Sequence, residues 1–81
     1  MKPLSRAQKT LLLKLSDEGG YVQLFGNEIR TARALYENFA MVTFIKYARL
    51  HPYSDKVEWV WYEAATTARG EEIAAAIRGK A

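Results

Sequence analysis

The sequence predicts one α+β domain with the element order α-β-α-β-β-α and a small three-stranded antiparallel sheet, its helices on one side. Three observations carry that prediction. Apolar residues recur at helical spacing in three separate stretches. Two long β-prone runs flank the turn-forming segment His51-Pro52-Tyr53-Ser54-Asp55-Lys56. The 81 residues leave room for one core, so residues 1–81 form a single domain.

The first helix opens at Ser5, an N-cap with Gln8 at capping-box spacing. Ala7, Leu11, Leu12 and Leu15 form its apolar stripe, and Gly19-Gly20 ends it. Tyr21 to Phe25 is short, aromatic and β-branched, which predicts a strand. Gly26 breaks it, and Asn27 caps a second helix, Asn27 to Asn38, with Glu28 near its positive end. There Ile29, Ala32, Leu35, Tyr36 and Phe39 share one apolar stripe. Asn27, Arg30, Arg33, Ala34 and Glu37 take the opposite face. Asn38 is placed at the left-handed helix end.

Met41 to Leu50 and Val57 to Glu63 are the arms of a hairpin. Alternation puts Val57, Trp59 and Trp61 on one face of the second arm, and Glu58, Val60 and Tyr62 on the other. Thr66 or Thr67 caps a last helix with Gly70, Ile73, Ala74 and Ile77 on one stripe. Glu71 and Glu72 suit its N-terminal dipole, Ala74-Ala75-Ala76 permits close packing, and Gly79 ends it.

Composition narrows the function. Hydrophobic residues make up 49% of the chain, too many for disorder. There are no cysteines, which excludes disulfides and thiolate metal sites. Met1 to Arg6 has no apolar signal core, and no apolar run reaches the ~20 residues of a membrane span. A cytoplasmic location with no membrane partner is the expectation. Net charge is +3 and the pI about 9.3, which permits contact with phosphate. His51 is the sole histidine, so a zinc site is not expected. No nucleophile–base pair and no phosphate-cradling glycine loop is present, so neither an enzyme, a cofactor nor a small-molecule substrate is expected.

Two segments resemble the winged helix-turn-helix family. Leu35-Tyr36-Glu37-Asn38-Phe39-Ala40-Met41-Val42 looks like a recognition helix running into the first wing strand, where that family has L-E-x-x-G-L-V. Thr67-Ala68-Arg69-Gly70-Glu71-Glu72-Ile73 is similar to the opening of the final helix in MarR-type regulators. The family carries two helices between first strand and wing, whereas residues 26–40 hold one here. The resemblance implies a winged-helix-like domain that binds duplex DNA in transcription regulation. It implies that Arg30 and Arg33 contact the groove, that Asn27 and Thr31 assist, and that Lys46, Arg49 and Lys56 meet phosphates from the wing.

The residues also leave other readings open. The hairpin concentrates aromatic area on both faces, while helices cover one. Trp59, Trp61 and Tyr62 are therefore expected at a protein interface, in a homodimer or with another protein partner. An adaptor or inhibitor built on this scaffold without DNA reading is the competing function. Stacking of single-stranded nucleic acid on the same rings is a third.

Overall fold

The computed structural model describes residues 3–54 and 56–79; Asp55 of the predicted turn lies outside them, as do Met1 and Lys2. The chain runs α1 (Arg6–Glu18), β1 (Val22–Leu24), α2 (Asn27–Phe39), β2 (Val42–Leu50), β3 (Val57–Thr66) and α3 (Ala68–Gly79). The predicted order holds throughout. The three strands form one antiparallel sheet in the order β1-β3-β2.

Local chemistry sets the ends. The Gln8 N–H donates to Ser5 Oγ at 3.2 Å and the Ser5 N–H to Gln8 Oε1 at 2.8 Å, so the capping box is closed. Gly19 ends α1 in the left-handed conformation, φ 72°. At α2 the cap differs from expectation. Gly26 holds the N-cap position with no side-chain cap, and Asn27 is already helical. Glu28 does the work instead: its carboxylate accepts from the Phe25 N–H at 3.1 Å. The left-handed residue after α2 is Ala40, φ 53°, and not Asn38. An Ala there carries roughly 1 kcal/mol of strain that glycine would avoid.

The core comprises Leu11, Leu12 and Leu15 of α1, Leu24, Ala32, Leu35, Met41, Val42, Ala64 and Ala74. Leu12, Leu15 and Leu35 are fully buried, each contributing about 2 kcal/mol by removal from water. β3 runs to Thr66, past the predicted end at Glu63, because Ala64 is needed in the core between Val22 and Phe44. Tyr36 departs from its predicted burial. It is half exposed, and its ring packs on Phe44 at a centroid distance of 6.3 Å. Ala34, expected outward, is half-buried.

Helix α3 is locked to the α2–β2 corner. The Thr67 N–H donates to the Met41 carbonyl at 3.0 Å, and Thr67 Oγ1 donates to the Ala40 carbonyl at 2.8 Å. The same hydroxyl oxygen accepts from the Gly70 N–H at 3.1 Å, so Thr67 is the N-cap. Gly70 then lies directly on Met41, where an added Cβ would come within 1.9 Å of the carbonyl oxygen. Glu71 accepts from Ser16 Oγ and Thr66 Oγ1, and Arg78 donates to Ser16 Oγ, the Leu13 carbonyl and Asp17. These bonds tie α3 to α1 and, through Thr66, to the end of β3.

Beyond this body the hairpin projects as an arm. The molecule measures 53 × 23 × 18 Å, and β2 from Lys46 onward and β3 before Trp61 are exposed. The pairing shifts register between Arg49 and Leu50, a bulge that sharpens the twist near the tip.

Candidate nucleic-acid interface

The predicted site residues divide between two sides of the hairpin. At about 100° per residue, buried Ala32 and Leu35 fix the inward direction of α2. Arg30 points directly away from them. Arg33 lies about 60° from Arg30 toward the hairpin, and Tyr36 about 60° further. Asn27 lies about 60° from Arg30 on the other side. All four are exposed. Thr31 lies about 40° beyond Asn27, on the α1 side of this arc. It is half-buried, donates to the Asn27 carbonyl at 3.1 Å, and lines a shallow groove against α1 with Thr10, Leu11 and Lys14.

The ring of Tyr36 carries this surface onto the hairpin. Tyr36 stacks on Phe44, and Phe44 on Tyr62 at 5.3 Å. Lys46 pairs across the strands with Tyr62 and sits two residues after Phe44, hence on the same face. Arg30, Arg33 and Lys46 therefore share the helix side of the molecule. Arg33 Nε pairs with Glu37 Oε1 at 3.2 Å, which offsets part of its charge. Arg30, Lys46 and Lys56 make no ion pair among the described residues. Lys56 stands at the tip, its carbonyl accepting from the His51 N–H at 2.9 Å.

Arg49 is on the other face. Alternation puts it with Thr43, Ile45 and Tyr47, and it lines a cleft with Gln23, Trp59 and Trp61. Tyr47 and Trp61 pair across the strands there, their rings 5.1 Å apart and within 11° of parallel. Among the described residues no helix covers this outer face, since Val22, Leu24, Val42 and Ala64, which share the core with the helices, lie on the opposite face of the sheet. Tyr62 does not accompany Trp59 and Trp61. It is half-buried under Phe44 on the helix side, because adjacent strand positions point to opposite faces. Tyr47, Ile45, Glu63 and Gln23 take its place on the outer face. Alternation along the two arms places Tyr47, Ile45 and Glu63, and the pairing of β1 with β3 adds Gln23.

The ionised state is favoured where acids meet donors. The Lys14 ammonium, 2.7 Å from Glu28, holds that carboxyl below its usual range, and the Phe25 N–H adds to the effect. The hydroxyls of Thr66 and Ser16 lower Glu71 in the same way. Among the described residues no group of three or more His, Asp or Glu gathers into a metal-binding cluster. None of the described helices is long and apolar enough to cross a membrane. No protein-family model, curated protein or solved structure matches this chain.

Proposed function

We propose that this domain binds duplex DNA in transcription regulation, using α2 and the helix side of the hairpin as one continuous surface. The observation that carries the reading is the shared placement of Arg30, Arg33 and Lys46, bridged by the Tyr36–Phe44–Tyr62 ring contacts. A helix of this width fits the ~12 Å major groove, where arginine reads guanine edges and Asn27 meets adenine or phosphate. The projecting arm then lies along the backbone with Lys46 and, at its tip, Lys56. The winged-helix likeness is supported by the strand order β1-β3-β2, with the short strand before α2 added beside the wing. One helix, not two, lies between β1 and β2, and the brace on α2 is α1, held to it by the Lys14–Glu28 ion pair.

An anisotropy titration of a labelled random duplex tests the reading. The unmodified chain binds, and the Arg30→Ala, Arg33→Ala double substitution weakens binding about tenfold or more. Equal affinity in the double variant overturns the assignment. The competing adaptor reading draws support from a separate feature, the uncovered outer face with Trp59 and Trp61.

A further inference from the structure

The outer sheet face has a geometry that selects its occupant. Tyr47 and Trp61 have ring centroids 5.1 Å apart, close to the ~4.8 Å spacing of neighbouring strands. Rings that are parallel at that separation stand upright on the sheet and face each other. What they offer outward is a row of edges. A nucleobase needs a flat ring face to stack on, and the face each of these rings turns to the other is closed to it. A second sheet, by contrast, packs by interdigitating upright side chains.

The charges on this face are arranged for a copy of itself. Arg49 pairs across the strands with Trp59, one level to the tip side of the Tyr47–Trp61 pair. Glu63 pairs with Ile45 and Gln23, one level to the body side. A two-fold axis lying between two such faces, and crossing the strands at the Tyr47–Trp61 level, carries Arg49 over Glu63 in both directions. That is the self-complementary pattern an isologous contact requires. Both groups are free to meet. The Arg49 side chain is 76% exposed, with Glu58 only at the 4.0 Å limit. Glu63 accepts the Trp61 indole N–H with one oxygen at 2.9 Å, and its other oxygen makes no hydrogen bond among the described residues. Glu63 would also repel a phosphate chain laid along the same rings.

We infer that the outer sheet face is a homodimer surface, on which two copies of this chain pack face to face around the Tyr47–Trp61 pair with Arg49 of each opposite Glu63 of the other. The face is roughly 27 Å long and two strands wide, with β1 widening it at the body end, or about 300 Å² per copy. This is well under the ~800 Å² per partner in a standard interface, so the dimer is weak and concentration-dependent. It leaves α2 and Lys46 uncovered, and it stands independently of DNA binding.

Sedimentation equilibrium from about 1 µM to about 1 mM tests it, a range that brackets weak association. The mass rises from one chain toward two. Arg49→Glu raises the midpoint concentration about fivefold or more, the scale of a modest interfacial ion pair. Adding Glu63→Arg to that variant restores the midpoint. Trp59→Ala abolishes association, while circular dichroism shows each variant folded. A single-chain mass at every concentration overturns the inference, as does a dimer indifferent to Arg49→Glu or Trp59→Ala. Quenching of tryptophan fluorescence by oligothymidylate with the mass fixed at one chain also overturns it, and gives the face to single-stranded nucleic acid.

Discussion

Replacing Gly70 with Ala tests how the last helix is attached. In an open helical site that change stabilises by about 1 kcal/mol, since alanine is the better helix former. Gly70 is not open. Its added Cβ would lie 1.9 Å from the Met41 carbonyl oxygen and 3.4 Å from Leu12 Cδ1, whereas real Cβ contacts stay beyond 3.0 Å. Helix α3 must retreat by about 1 Å, the difference between those distances. The retreat stretches the bonds from Thr67 to the Met41 and Ala40 carbonyls, each contributing about 1 kcal/mol. Overpacking against the Met41 carbonyl group adds about 1–2 kcal/mol. After subtracting the helix gain, Gly70→Ala should cost about 2–3 kcal/mol. Urea denaturation followed by circular dichroism measures this, with Gly79→Ala as a control where nothing lies within 4 Å. A Gly70→Ala variant as stable as the parent would refute the close approach.

Two further outcomes follow from the backbone and the carboxylates. Ala40→Gly should stabilise by about 0.5–1 kcal/mol, because φ 53° is strained for alanine and ordinary for glycine; thermal melts read this as a few degrees. Glu28 and Glu71 have lowered folded-state pKa values, so their contribution is present above the ordinary 4.5 and lost as pH falls below it. Melting temperature should therefore drop between neutral pH and about pH 3.5, and Glu28→Gln or Glu71→Gln should flatten the drop by lowering the neutral-pH value. Equal slopes in the parent and both variants would contradict the bonding to Lys14, Ser16 and Thr66.

Much of this architecture was legible because local signals agreed with one another. Ser5 with Gln8, the Gly19-Gly20 stop and the period-two hairpin arms each name their element, and the structure follows them. The cap of α3 was legible as Thr66 or Thr67 and Gly70 as part of its apolar stripe, whereas the close approach of Gly70 to Met41 was not legible. Ala40 gave no signal, since alanine does not advertise a left-handed conformation; Asn38 did, and it drew the expected left-handed position two residues early and the helix end one residue early. Thr66 was missed for a related reason. Alanines at 64 and 65 do not look like strand, and it is the place of Ala64 in the core that carries the strand on. Alternation separated Tyr62 from Trp59 and Trp61; the same rule applied to the first arm separates Lys46 from Arg49, which were expected together. What it did not supply was which face the helices would occupy, and that depends on tertiary packing around Val42 and Ala64.

The most direct test of the DNA-binding account is the salt dependence of duplex affinity in two single variants, measured at concentrations low enough to keep the protein monomeric. Each phosphate contact contributes about −0.9 to the slope of log K against log salt. Lys46 shares the surface of Arg30 and Arg33, so Lys46→Ala should make the slope shallower by about 0.9, and Arg49→Ala on the outer face should leave it unchanged. A slope altered by Arg49→Ala and untouched by Lys46→Ala would place the duplex on the opposite side of the molecule and contradict the account.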